Sequence, residues 1–174
     1  VIYLSSVFHE IISYLNHQER TETIAMIMNN LKPGGYLIIR DWANPNNDSP
    51  FKIEPVSKKA EMNIWVNELQ KNSIIDKYCH ELVDGSILTN HTNAYEIIFH
   101  TVWGLKSLSR ESKEQYNIEN GIKKWIINPW NKVLKLKTIY YETDETYLSH
   151  LQKYFKLDEV PFETKSIYIF QKNK

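Results

Sequence analysis

The first 42 residues alternate between strand and helix signals, and this alternation constrains the fold more than any other feature of the sequence. Val1–Leu4 is a short, continuously apolar run, as in strands buried on both faces of a parallel sheet. A helix is predicted over about 19–31, because its apolar residues recur at helical spacing: Ile24, Ile27, Met28 and Leu31. Lys32-Pro33-Gly34-Gly35 ends this helix, and Tyr36–Ile39 is a second short apolar strand.

A strand, a helix and a strand in this order form a βαβ unit. Such a unit implies two parallel strands joined by a right-handed crossover. Ligands of open α/β sheets bind beyond the carboxyl ends of the strands. The residues that follow Leu4 and Ile39 are therefore the first candidates for a functional site.

The remainder of the chain separates into a middle and a tail. The stretch from about 51 to 136 reads mostly as helix, with Glu61–Ser73 and Asn93–Leu105 as the better candidates. The tail predicts a helix over Thr146–Phe155, a short strand over Lys156–Val160 and a last strand over Ser166–Lys172. The close connection between these two strands predicts antiparallel neighbours.

The motifs SSVFHEI after the first strand and LKPGGYLIIRD at the second, with the final helix, strand and strand, resemble part of a known family. They are similar to the fourth strand onward of class I S-adenosylmethionine-dependent methyltransferases. The resemblance implies an α/β fold with a partial doubly wound sheet in the order 4-5-7-6. Its strands four to seven would be Val1–Leu4, Tyr36–Ile39, a strand near Lys156–Val160, and an antiparallel Ser166–Lys172.

The same resemblance divides the chain. Residues 1–43 and 141–174 would form the C-terminal half of the methyltransferase-like domain, and residues 44–140 a mainly helical insertion that covers the substrate. The family's glycine-rich loop and the acidic residue that binds the cofactor ribose are not in this sequence, where only Gly34 and Gly35 of the five glycines are adjacent. We therefore expect the sequence to be part of a larger protein and to bind the cofactor weakly by itself.

By the resemblance, the loop after the first strand lies beside the methionine part of S-adenosylmethionine. It implies cofactor contacts from Ser5, Ser6, Phe8 and Tyr14. His9 is the candidate general base, since its ordinary pKa lies near neutrality; a simple hydrogen bond to nearby backbone is the alternative. Asp41, at the carboxyl end of the second strand, is the second catalytic candidate, and a structural ion pair is its alternative.

Substrate contacts are predicted from residues beside these positions and in the insertion. Arg40 and Trp42 flank Asp41, Arg110 suits a phosphate or carboxylate, and Tyr116 lies in the same polar stretch. No metal is expected, because the spacings of the cysteine and nearby histidines match no metal motif: Cys79, His80, His91 and His100.

The composition limits the classes of partner that the protein is expected to bind. With 21 basic and 21 acidic residues, the chain has no net charge to attract nucleic acid or a membrane. A single cysteine and no long apolar run favour a cytoplasmic protein with a small-molecule substrate. Residues 104–137 nevertheless hold eight basic against three acidic residues, and Trp125 and Trp130 among them would suit RNA.

The first strand would also form an exposed sheet edge, where the chain could associate with itself. The alternative to an enzyme is thus a non-catalytic methyltransferase-like module that holds a protein or RNA partner.

Overall fold

A computed structural model of the chain describes residues 1–43, 47–57, 59–157 and 162–174, and it is a mixed α/β fold with open sheets. The strands are β1 Ile2–Ser5, β2 Tyr36–Trp42, β3 Pro50–Ile53, β4 Cys79–Glu81, β5 Ile87–Asn90, β6 Leu134–Glu142 and β7 Lys165–Lys172. The α-helices are α1 Phe8–Tyr14, α2 His17–Asn30, α3 Lys59–Lys71, α4 His91–Thr101, α5 Leu108–Glu111, α6 Ile118–Ile122, α7 Asn128–Trp130 and α8 Glu145–Leu151. A 3-10 turn covers Leu105–Ser107 and a π-helical turn Lys123–Ile127. None of the helices in the described ranges is both long and apolar enough to cross a membrane.

The main sheet has the order β1-β2-β7-β6. β1 and β2 are parallel, with Ile2 opposite Leu37 and Ser5 opposite Arg40, as the βαβ pattern predicts. β7 lies antiparallel to β2, and β6 lies antiparallel to β7. The sheet thus places the carboxyl ends of β1 and β2 side by side.

The connection between β1 and β2 is fixed by local signals at both ends of α2. Asn16 and Glu19 form a reciprocal capping box, in which the Glu19 amide donates to Asn16 Oδ1 at 3.0 Å and the Asn16 amide donates to Glu19 Oε2 at 2.9 Å. At the other end the Gly35 amide donates to the carbonyl of Lys32 at 2.8 Å, and Gly34 has a φ of +74°. The turn therefore needs glycine where the chain enters β2.

The strand that pairs with β7 is not the predicted one. Lys156 and Leu157 are not in a strand, and the rest of the predicted strand lies outside the described residues. The partner is instead β6, which is not among the predicted strands; it begins in the segment assigned to the helical insertion and runs across the predicted boundary at residue 140. Because most of β6 is exposed and lysines alternate along its start, it is a charged edge strand, which shows little of the hydrophobic pattern of a buried strand.

The insertion is also less helical than expected. A second, antiparallel sheet of order β3-β5-β4 lies inside it, with Phe51 opposite Thr89 and Cys79 opposite the same Thr89. α4 packs beside this sheet and is buried from Asn93 to Thr101. The expected helices at residues 61–73 and 93–105 correspond to α3 and α4, each shifted by about one half-turn at its start.

Two hydrophobic clusters hold the fold together. One lies between the main sheet and the helices α1, α2 and α6, and it includes Phe8, Ile24, Leu37 and Phe170. The other surrounds α4 and includes Trp65, Tyr95, Phe99 and Phe162. Trp42, at the end of β2, belongs to the second cluster, so the carboxyl end of β2 lies at the junction of the two halves.

A histidine–carboxylate cavity as the candidate functional site

His9 and Asp41 meet at the carboxyl ends of β1 and β2. His9 lies in the first turn of α1, just after β1, and its Nδ1 is 2.7 Å from Asp41 Oδ1. The Asp41 carboxylate also accepts the backbone amides of His9 at 3.0 Å and of Trp42 at 2.9 Å. Asp41 has no exposed surface and His9 is 6% exposed. Because Asp41 accepts three hydrogen bonds, it is best satisfied as a carboxylate. The Nδ1 of His9 therefore carries a proton, and its Nε2 can act as the base when the ring is neutral.

The other ring nitrogen of His9 faces a second carboxylate. His9 Nε2 lies 3.6 Å from Glu114 Oε2. Glu114 is buried and accepts a short hydrogen bond from the hydroxyl of Tyr14, at the end of α1. The imidazole therefore lies between Asp41 on one side and the pair of Glu114 and Tyr14 on the other.

A third acid, Glu111, lies beside Glu114. Glu111 is 3% exposed, pairs closely with the Arg110 guanidinium, and accepts a hydrogen bond from the Tyr116 hydroxyl at 2.9 Å. The site thus contains two buried glutamates, one of which has a cationic partner.

Both glutamates are held by a buried histidine of α4. His100 has no exposed surface, and its Nε2 lies 3.0 Å from the carbonyl of Glu111 and 3.2 Å from that of Glu114. From the same helix, the Glu96 carboxylate accepts the amides of Tyr116 at 3.2 Å and Asn117 at 2.5 Å. Polar groups of α4 therefore fix the backbone of residues 111–117 against the end of the main sheet.

These side chains surround an open cavity of about 410 Å³. Its walls combine carboxylates, aromatic rings, one guanidinium and the imidazole: His9, Glu10, Tyr14, Trp42, Trp103, Arg110, Glu111, Glu114 and Tyr116. The volume lies within the range of small-molecule sites, about 300–1,000 Å³. A buried histidine at the wall of such a cavity can exchange a proton with a bound ligand.

Trp42 separates this cavity from a buried lysine. Lys165 lies directly opposite Trp42 in the pairing of β2 with β7, and its ammonium lies 3.4 Å from the centroid of the indole ring. The Lys165 Nζ also lies 3.4 Å from Ser6 Oγ, and the side chain takes part in no ion pair within the described residues. A cation over one face of the indole holds that ring in place.

Charges and burial shift the pKa values of the site in different directions. Burial lowers the pKa of His9, but the hydrogen bond and charge of Asp41 and the charges of Glu114 and Glu10 exceed this effect, so the His9 pKa is raised above 6.5. Burial and the neighbouring Glu111 raise the pKa of Glu114, against the hydrogen bond from Tyr14, which lowers it. Behind Trp42 and outside the cavity, burial lowers the pKa of Lys165 to about 8. Titratable groups with shifted pKa values in one cavity are typical of functional sites.

Most of the residues predicted from sequence lie in or beside this cavity. Asp41 lies directly behind the ring of His9, and several of the others contribute walls: His9, Tyr14, Trp42, Arg110 and Tyr116. The remaining four are neither walls of the cavity nor in contact with the His9 ring. Ser5 and Ser6 lie at the sheet edge, the Phe8 side chain is in the core at 1% exposure, and Arg40 pairs with Glu142 at 2.7 Å.

Sequence reasoning did not single out Glu114, Glu111, Trp103 or Lys165 as site residues. No local sequence pattern indicates that these two glutamates lie near a histidine more than 100 positions earlier. A lysine shortly before the alternating run Ile167–Phe170 is the one available signal for Lys165.

No protein-family model, curated protein or solved structure matches this chain. Within the described ranges, no group of three or more histidine, cysteine, aspartate or glutamate side chains is arranged to bind a metal ion. The functional interpretation therefore depends on the geometry of the site.

Proposed function

We propose that the protein transfers the methyl group of S-adenosylmethionine to a small acceptor molecule, with His9 as the general base. The observation that carries this proposal is the pair His9–Asp41, joined at 2.7 Å beyond the ends of two parallel strands and open to a cavity. A base is needed when the acceptor atom carries a proton, as in a hydroxyl or an amine.

The arrangement of strands supports a methyltransferase-like reading. The parallel β1 and β2, followed in the sheet by an antiparallel β7, agree with the order that the motifs SSVFHEI and LKPGGYLIIRD suggest. On this proposal the sheet is the second half of a doubly wound domain. The segment from 43 to 133 then forms the substrate side of the cavity.

The cavity suits the sulfonium end of the cofactor. A sulfonium is an organic cation, and such cations are attracted by carboxylates and by the faces of aromatic rings. Glu10, Tyr14, Trp103 and Glu114 supply both kinds of group around His9 and would hold this end. The fit concerns the methionine part, because no glycine-rich loop for the nucleotide part occurs in the sequence. When bound, the cofactor supplies an electrophilic methyl group.

The protein's own groups then have separate tasks. Asp41 fixes the His9 ring with its proton on Nδ1, which leaves Nε2 toward the cavity. His9 Nε2 accepts the proton of the acceptor atom as that atom attacks. Glu114, 3.6 Å away, stabilises the imidazolium that results. Trp42 and Tyr116 limit where the acceptor can lie, since alignment supplies much of the rate in such a displacement.

Calorimetric titration tests cofactor binding. S-adenosylmethionine and S-adenosylhomocysteine are titrated into the full-length protein, and saturable heat is expected with both. No heat at millimolar ligand would count against the proposal.

A variant of the base tests the chemistry. With an acceptor found by release of S-adenosylhomocysteine, His9→Ala should lower turnover about 100-fold or more, with little change in cofactor affinity. The matched control is His80→Ala, because His80 is exposed on β4 and away from the cavity walls. Equal turnover of the two variants would remove His9 from the mechanism.

A non-catalytic module that holds a protein or RNA partner is the second candidate. It is favoured by β1, which forms the edge of the main sheet and leaves Tyr3 55% exposed. Saturable binding of a partner that Tyr3→Asp abolishes, with no cofactor heat, would support this candidate over the enzyme.

A further inference from the structure

We propose a second ligand site, separate from the His9 cavity, that binds a nucleobase carrying a phosphate. It is an open cavity of about 380 Å³ between the first half of α2 and the helical residues 124–130. None of its lining residues is shared with the His9 cavity. The proposal does not depend on methyl transfer.

The walls of this second cavity suit a flat ring. Trp125, at 9% exposure, forms its floor together with the buried Ile24, and the half-buried Trp130 and the exposed Pro129 form its rim. Indole rings bind nucleobases by stacking, which is tolerant of the identity of the base. Nonpolar groups make up most of the lining, as expected for a site that removes an aromatic ring from water.

Three basic side chains lie beside the ring of Trp125. The Arg20 guanidinium lies 4.7 Å from the centroid of the Trp125 ring, the Lys124 ammonium 5.3 Å and the His17 ring 5.2 Å. Neither Arg20 nor Lys124 takes part in an ion pair with any described residue, whereas the neighbouring Lys123 pairs with Glu119 at 3.0 Å. The lining residues of this cavity in the described part of the chain include no acidic side chain. Unpaired cations beside an aromatic wall favour an anionic ligand.

The hydrogen bonding of Arg20 also indicates that its guanidinium is incompletely satisfied within the protein. Its Nη2 donates to the carbonyl of Leu15 at 2.6 Å, while its buried Nε has no hydrogen-bond partner among the described residues. A buried, unsatisfied donor on a charged group is costly unless something compensates it. A negative charge near Lys124 and Trp125 would also be attracted to this half-buried guanidinium.

The size of the cavity limits the ligand. About 380 Å³ lies near the lower end of small-molecule sites, roughly 300–1,000 Å³, and accommodates one nucleotide. The nucleotide could be free or could be one residue of a single strand of RNA. In the second case the exposed basic residues that follow, such as Lys132 and Lys135, would contact the neighbouring phosphates.

Equilibrium dialysis tests the site with four probes: uridine monophosphate, uridine, ribose 5-phosphate and a hexauridylate. We expect saturable binding of uridine monophosphate, and binding at least about tenfold weaker for the probes that lack the base or the phosphate. Hexauridylate that binds more than tenfold tighter than the monophosphate, with an affinity that falls steeply with salt, identifies RNA as the source; equal affinity identifies the free nucleotide. No saturable binding of either phosphate-bearing nucleotide at millimolar concentration overturns the proposal.

Matched variants locate the binding. Trp130→Ala and Lys124→Glu should each weaken binding of uridine monophosphate by about fivefold or more. The controls are Trp103→Ala, in the wall of the His9 cavity, and Lys113→Glu, an exposed lysine outside both cavities. Circular dichroism verifies that all four variants are folded. Binding that is lost equally in variants and controls, or in none of them, overturns the assignment. Heat of S-adenosylmethionine binding that persists in the Trp130→Ala variant would show that its loss of nucleotide binding is independent of the methyltransferase proposal.

Discussion

The carboxylate of Asp41 accepts two hydrogen bonds from His9, one from its backbone amide at 3.0 Å and one from Nδ1 at 2.7 Å. The first bond fixes where α1 begins relative to β2, and the second fixes the orientation and the tautomer of the ring. A single side chain therefore sets both the position and the charge of the candidate base.

Asp41→Asn should lower the pKa of His9 while leaving the ring in place. The hydrogen bond and charge of Asp41 are the main effects that raise this pKa against burial. We expect the pKa to fall by about 1 unit or more, measured by NMR titration of the His9 ring proton. Asp48→Asn, which alters an exposed acid, is the control. An unchanged midpoint would mean that Asp41 does not set the charge of the ring.

On the proposed function, the rate of methyl transfer should rise with pH. A general base acts in its deprotonated form, and the pKa of His9 is raised, so the rising limb should have its midpoint above pH 6.5. Glu114→Gln should move the midpoint to lower pH, since Glu114 is one of the charges that raise the His9 pKa. A rising limb centred below pH 6.5 would contradict this assignment.

His100 should make the protein less stable in acid. Burial lowers its pKa to about 4, against the raising effect of the carbonyls of Glu96, Glu114 and Glu111. Between pH 6.5 and 4 the unfolded chain binds more protons at this site than the folded chain, so the free energy of unfolding falls by up to about 3 kcal/mol as pH falls. Denaturant unfolding at a series of pH values should show a flatter acid limb for His100→Gln. His80→Gln is the control, and parallel curves for wild type and His100→Gln would contradict the prediction.

Lys165→Met should stabilise the protein at neutral pH by about 1 kcal/mol, because the cost of burying the charge exceeds the loss of its contact with Trp42. The pKa of Lys165 is lowered by burial to about 8, below the 10.5 of an unfolded lysine. The folded chain binds fewer protons between these values, so the cost is full below pH 8 and disappears as pH rises toward 10.5. The advantage of the variant should shrink over the same range in denaturant unfolding. Destabilisation at pH 7 that persists at pH 10 would show that the contact with Trp42 dominates.

In the turn before β2, Gly35→Ala should destabilise the protein more than Gly34→Ala. A Cβ at Gly35 would lie 2.8 Å from the carbonyl oxygen of Lys32, a backbone atom that cannot move aside cheaply. At Gly34 a Cβ would meet no heavy atom within 4 Å, and only the φ of +74° opposes a side chain. We expect Gly35→Ala to cost about 2 kcal/mol or more and Gly34→Ala about 1 kcal/mol. Thermal unfolding of both variants provides the measurement, and equal costs would contradict it.

The strand pair and the core of the site could be predicted because their signals are local. Apolar runs, a capped helix and a proline–glycine turn specify β1, α2 and β2, and the ends of parallel strands necessarily meet at one edge. His9 and Asp41 each follow or close one of these strands, so their proximity follows from the topology.

The remaining parts depend on long-range packing. β6 alternates lysine with apolar residues and is mostly exposed, so its strand character comes from pairing with β7. Glu114 reaches His9, with Glu111 beside it in the cavity wall, because His100 and Glu96 of α4 bind the backbone of residues 111–117. These contacts form only in the folded chain, and no sequence motif predicts them.

The place where the chain returns to the main sheet, at β6, limits how the segment between β2 and β6 can move. The polypeptide leaves the main sheet after Trp42 at one end of β2 and re-enters it at Leu134, beside Lys172 at the opposite end of β7. The two attachment points of the intervening segment are thus a full strand length apart, whereas a hinged flap needs them adjacent. Because the His9 cavity is already open, ligand exchange there should accordingly need no swinging movement of the whole segment.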